Sequence, residues 1–182
     1  MKPAIILNSK SFELTINRLC FQLIENHNDF SESVIIGLQP RGTYLANRIQ
    51  QQLQHILKNE NIKYGELDVT FFRDDFRRRE EILIPKSTKI DFIIENKKVI
   101  LVDDVLYTGR TIRSGLDAML AFGRPQKVEL LVLIDRRFSR HLPIQPNYVG
   151  KKVDSIASEK VKVEWKEIEG EDRVVLYSQK EL

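Results

Sequence analysis

Cysteine is nearly absent: one residue in 182, beside three histidines and a single tryptophan. The lone thiol, Cys20, excludes an intramolecular disulfide and a cysteine-rich metal site, and it fits a reducing compartment. Its neighbours Leu19 and Phe21 to Ile24 mark it as buried rather than reactive. No apolar run approaches the roughly 20 residues a membrane helix needs, and the run in MKPAIILNSK is too short for a signal peptide. A cytoplasmic protein without membrane contact is expected. There is no GxxxxGK[ST] loop and no GxGxxG, which sets aside P-loop hydrolases and dinucleotide sites. The charge excess is also small, +3, and does not by itself call for nucleic acid. Repeats, low-complexity tracts and long linkers are missing, so one domain over residues 1–182 is expected.

What is present alternates. Short runs rich in β-branched residues, Ser33–Ile36, Leu67–Phe72, Lys98–Val102 and Val128–Ile134, read as strands. Between them Phe12–Asn26, Thr43–Lys58 and Thr111–Phe122 space their apolar residues as helices do. Strands alternating with helices predict an α/β fold, a mostly parallel central sheet with helices on both faces. From Lys160 the sequence KVKVEWKEI alternates, a Gly-containing turn follows at Glu169–Arg173, and VVLYS completes a C-terminal β-hairpin. That hairpin would bury Val161, Val163 and Trp165 on one face, at the sheet edge or in a small cap. His27 and His55 fall on predicted helices and read as surface residues, and His141 lies in a loop.

In such sheets ligands bind at the carboxyl ends of the strands. There the chain reads VILVDDVLYTGRT, Val99–Thr111. Two adjacent carboxylates, Asp103 and Asp104, repel each other at the end of a buried strand unless a cation or a diol sits opposite. Thr108-Gly109-Arg110-Thr111 then opens a helix, where free amides, the dipole and two hydroxyls form a phosphate cradle. A helix cap alone needs no more than one acid or hydroxyl. A diol site beside a phosphate site is the shape of ribose 5-phosphate.

This segment resembles the phosphoribosyl pyrophosphate (PRPP) motif of the type I phosphoribosyltransferases. VDDVLYTGRT is similar to the wording of one branch, the PyrR family of uracil phosphoribosyltransferases and pyrimidine-operon regulators. GLQPRGTYLA resembles that family's pyrophosphate loop and FFRDDF the start of its flexible loop. RPQKVELLVLIDRR, LPIQPNYVGK and SEKVKV follow in the family's order. The resemblance implies a core over about 10–135 and a cap, or hood, from 136–182 with part of the N-terminus. It assigns Val105, Leu106, Tyr107, Thr108, Gly109, Arg110 and Thr111 to the ribose phosphate, and Pro40, Arg41 and Gly42 to pyrophosphate. In GLQPRG the turn amides and Arg41 suit a polyanion, and Gln39–Pro40 is open to the cis form. Arg73, in the charged stretch RDDFRRR, would close over the pyrophosphate.

The implied reaction transfers phosphoribosyl from PRPP to uracil, giving UMP and pyrophosphate. Asp103 and Asp104 would orient the ribose hydroxyls and meet Mg²⁺ through those hydroxyls or water. Tyr107 stands where purine-using relatives carry an aspartate, which favours uracil. Arg136 and the backbone near Val161 would meet the base, under a cap built from Asp135–Lys151 and the hairpin. No general base is assigned. The alternative implied by the same family is an RNA-binding attenuator that senses UMP, with little catalysis. Arg18, Arg140 and Lys151 remain as RNA-binding cations, whereas Phe21, Asn26, Gln39 and Gln145 occupy places where RNA-binding members are basic. A homo-oligomer, dimer or higher, is also implied.

Overall fold

The computed structural model describes residues 3–72, 87–156 and 158–178. Its elements run β1 (Ala4–Leu7), α1 (Ser9–His27), β2 (Ser33–Leu38), α2 (Gly42–Leu57), β3 (Lys63–Leu67), β4 (Lys98–Leu106), α3 (Arg110–Met119), β5 (Lys127–Arg137), β6 (Tyr148–Asp154), β7 (Glu159–Glu164), α4 (Lys166–Glu169) and β8 (Arg173–Ser178). Five strands form a parallel sheet in the order β3-β2-β4-β5-β6. Three more, β1-β8-β7, form a separate antiparallel sheet.

Helices cover both faces of the parallel sheet, as its unbroken apolar strands require. Alternate residues of β4 show the division. Ile100 and Val102 enter a core with Leu19, Leu23, Leu45 and Ile49 of α1 and α2. Val99 and Leu101 enter the opposite core with Ile112 and Met119 of α3. The Asn8 side chain starts α1 by accepting from the Ser11 amide at 2.9 Å. Cys20 is fully buried in the first core, and burial pushes its thiol up to about 12, so it is an inert packing residue. No helix among the described residues is long and apolar enough to cross a membrane.

The small sheet is the cap, and the C-terminal hairpin belongs to it rather than to the edge of the large sheet. Val161, Val163 and Trp165 are buried together on one face, as their alternation implies. The strand stops at Glu164, and Trp165 to Glu169 turn into a short helix. Trp165 anchors the cap. It stacks on Tyr44 of α2 at 5.8 Å, meets Phe12 of α1 edge-on at 5.3 Å, and carries the Arg48 guanidinium at 5.1 Å. A fully buried tryptophan of this kind is worth about 3–5 kcal/mol against alanine.

Three expectations need correction. Leu67–Phe72 is not a strand; the strand is Lys63–Leu67, and Thr70–Phe72 is a 3-10 turn. Asp68 diverts the chain, its carboxylate accepting from the Thr70 amide at 2.9 Å and the Thr70 hydroxyl at 2.6 Å. Tyr148–Asp154, which begins inside the Asp135–Lys151 stretch expected in the cap, is the edge strand of the parallel sheet. His27 is buried, not on the surface, because Ser33, Glu129 and Tyr148 at the amino ends of three strands converge on it.

Candidate active site

The carboxyl ends of β2, β4 and β5 converge beneath the cap. The loop after β2 carries a cis Gln39–Pro40 bond and leads into α2. Gly42 allows α2 to start directly against β4, since a Cβ there would lie 2.5 Å from the Val102 carbonyl oxygen. Asp103 and Asp104 are both buried at the end of β4. The Asp103 carboxylate accepts from the Asp104 amide at 2.9 Å, which turns the two acids apart.

Arg41 joins this site to the cap. Its Nε donates to Asp104 Oδ2 at 3.3 Å, and its Nη2 donates to the Val163 carbonyl and toward Glu169 Oε1 at 3.4 Å. Burial pushes the Asp104 carboxyl above the usual range, and Arg41 and the Val105 amide oppose that shift. A carboxylate held this way keeps its charge only while a cation or several donors face it. Gln39, before Arg41, donates Nε2 to Glu66 at 3.1 Å and to the Ser87 carbonyl at 3.0 Å.

Beyond the acids, Val105 is half-buried, Leu106 is buried and Tyr107 is exposed. Gly109 takes φ +91° at the head of α3, a conformation side chains resist. Gly109 itself brings no side chain to cap the helix, the Arg110 amide donates to the Thr108 hydroxyl at 3.4 Å, and the first turn faces outward with Thr108, Arg110 and Thr111 around it. The Thr108 carbonyl accepts from the His141 and Leu142 amides at 3.0 and 3.3 Å, which pins the loop after β5 to this turn.

Arg136 lies under Tyr107, its guanidinium 4.0 Å from the ring centroid. It is buried and fixed by Ser155 Oγ at 2.9 Å and the Glu159 carbonyl at 2.8 Å. A cavity of about 490 Å³ opens above, lined by Tyr107, Phe138, Ser139, His141, Asp154, Ser155 and Ile156. Its mixture of one aromatic face, apolar wall and a few polar groups suits a flat heterocycle. The Val161 side chain is packed in the apolar core and does not line this cavity.

The structure thus brings Asp103, Asp104, Arg41, Gly42 and the Tyr107–Thr111 turn together. Arg73 lies outside the described residues, as do Arg77, Arg78 and Arg79. The three candidate RNA contacts are already engaged. Arg18 donates to the Val149 and Gly150 carbonyls, Lys151 to the Ile6 carbonyl at 3.0 Å, and Arg140 to Asp135 and the Tyr107 carbonyl. Sequence reasoning missed Glu169 and Gln39, whose partners are distant in the chain. The only signal for Glu169 was an acid placed four residues after Trp165, where its Oε2 accepts from the Trp165 amide at 2.8 Å.

For a metal, the described residues contain no group of three or more His, Cys, Asp or Glu side chains that could hold an ion. Two adjacent carboxylates fit a hard cation that takes most of its ligands from a substrate and water.

Comparison with known proteins agrees with this geometry. The model of the phosphoribosyl transferase domain family matches residues 4–168. The chain is 44% identical to the Bifunctional protein PyrR of Microcystis aeruginosa, covering 97% of this chain and 99% of that protein. It is 38% identical to the Bifunctional protein PyrR of Bacillus subtilis, over 97% of each. A solved hypoxanthine phosphoribosyltransferase from Staphylococcus aureus shares the fold with a TM-score of 0.69 at 20% identity, covering 98% of this chain and 94% of that one.

Proposed function

The chain belongs to the PyrR family of the type I phosphoribosyltransferases, and from that premise we propose that it transfers the phosphoribosyl group of PRPP to N1 of uracil. The bond from the anomeric carbon to the pyrophosphate oxygen breaks, the bond to N1 forms, and the N1 proton leaves to solvent or a phosphate oxygen. The anomeric carbon turns cation-like as pyrophosphate departs, so catalysis is mainly positioning and stabilisation of the departing charge.

Asp103 and Asp104 bind the ribose hydroxyls. The open first turn of α3, with Thr108 and Thr111, binds the 5-phosphate. Arg41 and the turn at Pro40–Gly42 bind pyrophosphate, joined by Arg73 from outside the described residues. Uracil lies in the cavity over Tyr107, with Arg136 beneath the ring. Asp103 and Asp104 are the residues that would hold Mg²⁺, through ribose hydroxyls or water, and the ion supplies charge neutralisation for the pyrophosphate group. The observation that carries this reading is the pair of buried acids on the strand that leads into the glycine-headed start of α3, with a heterocycle-sized cavity alongside.

A product assay tests it: PRPP and Mg²⁺ with uracil, hypoxanthine and orotate in parallel, nucleotides separated by chromatography. UMP from uracil alone is the expected result, and no nucleotide from any base overturns the reading. The second function, binding of pyrimidine-operon messenger RNA, rests on the bifunctional relatives. Arg18, Arg140 and Lys151 would have to share their present carbonyl and carboxylate partners with phosphates. Titration with such RNA at several salt concentrations measures that cost as a shallow salt slope.

A further inference from the structure

We propose that Glu169, a cap residue, is a positioning residue that aims Arg41 at the pyrophosphate group. The inference rests on the reading of the Arg41 loop given above and adds a part to it. A guanidinium is planar and rigid, so fixing two of its nitrogens fixes the direction of the third. In Arg41, Asp104 holds Nε, while the Val163 carbonyl and Glu169 hold Nη2. Nη1 takes no partner among the described residues, and it is the nitrogen left to a ligand.

Glu169 is built to do this. Its Oε2 is tied to the Trp165 amide at 2.8 Å, and Trp165 is fully buried between α1, α2 and the cap. Its Oε1 faces Arg41 and, at 3.4 Å, the Lys162 ammonium. The carboxylate is mostly shielded, with 17% of the side chain exposed, so its pull on Arg41 is not fully screened. Burial tends to raise its pKa, but the Trp165 amide, Arg41 and Lys162 outweigh burial and hold it below the ordinary glutamate range. It is therefore an anion at neutral pH, fixed on a rigid base, across the guanidinium from the second anion, Asp104.

The sign of the effect separates positioning from simple electrostatics. An anion near a pyrophosphate site should weaken binding, so its removal should tighten it. If Glu169 aims Arg41, removal should loosen it instead. In the full-length chain, Glu169→Gln is expected to raise the KM for PRPP and the inhibition constant of inorganic pyrophosphate together, by about five- to tenfold. UMP binding, which involves no pyrophosphate, should stay within twofold. Glu169→Asp keeps the charge but shortens the reach, and its values should fall between. In an Arg41→Lys background the glutamine substitution should have no further effect. Tighter or unchanged pyrophosphate binding in Glu169→Gln overturns the proposal. So does a parallel loss of PRPP and UMP affinity with a lower melting temperature, which would make Glu169 a structural brace. If Arg41→Lys itself leaves pyrophosphate affinity unchanged, the reading of the Arg41 loop fails first.

Discussion

The two ends of the parallel sheet bury polar groups in opposite ways. At the amino end His27 Nδ1 lies 2.8 Å from Ser33 Oγ, its Nε2 lies 2.8 Å from Glu129 Oε2, and the Tyr148 hydroxyl donates to the same carboxylate at 3.0 Å. One neutral tautomer satisfies all of it: Ser33 donates to Nδ1, and Nε2–H donates to Glu129. Lys127 closes the network on the outer oxygen of Glu129. At the carboxyl end, among the described residues, Asp104 has one cation that also serves the cap, and Arg41 keeps a nitrogen in reserve. The two buried polar side-chain atoms without a partner among the described residues, Gln39 Oε1 and Trp165 Nε1, are also at this end. A closed polar network holds a fold together, whereas an open one stands ready for a ligand.

Mutations should split along that line. Asp104→Asn is expected to lower phosphoribosyl transfer by about two to three orders of magnitude, the usual cost of removing a group that fixes the reacting substrate. Its melting temperature should stay level or rise, because the fold already disfavours this carboxylate's charge. Near-normal turnover would remove the diol role assigned to it. His27→Ala should do the reverse. It leaves Glu129 without its imidazole partner and costs about 2–3 kcal/mol in urea unfolding. The rate per folded molecule should not change, and a fall in rate would mean that the two ends are coupled.

The smallest effect is that of acid on the amino end. Burial lowers the His27 pKa against the pull of Glu129, so the unfolded chain takes up that proton first. Stability is then complete above about pH 6.5, the ordinary histidine value, and declines as pH falls through the lowered one. Burial also acts to raise Glu129, but bonds from Lys127 and Tyr148 outweigh it, and its share of stability is lost below the ordinary value of 4.5. Urea midpoints measured from pH 7.5 down to about 3 should fall in that order. His27→Gln should flatten the upper part of the curve alone; an unchanged slope would assign the dependence to another group.

Much of the carboxyl end was legible in the sequence because its chemistry is local. Val99 to Thr111 contains the buried strand, both acids, the turn and the helix start in one continuous segment, and the structure keeps them in that order. Tail alternation likewise located the hairpin and its buried face. What could not be read depends on partners far apart in the chain. His27 looks like a solvated helix end until Glu129 and Tyr148 arrive from β5 and β6. β6 itself, YVGKKVD, has two lysines and a glycine, the composition of an edge rather than of a core strand. Leu67–Phe72 misled because β-branched and aromatic residues signal strand whether or not a neighbouring strand is there to pair with. For Glu169 the local spacing hints at the bond to Trp165, but nothing in WKEIEG points to Arg41.

The cap sheet pairs β1 with β8, Ala4 opposite Leu176 and Leu7 opposite Val174. On the ribosome β1 emerges long before β8. The parallel sheet up to β6 can collapse while the tail is still being made, but β1 has no neighbour in its sheet until β8 appears. Glu169, Val163 and the carbonyl that receives Arg136 all belong to that late-made part. A nascent chain therefore carries its acids and its open helix turn before the cap has set Arg41.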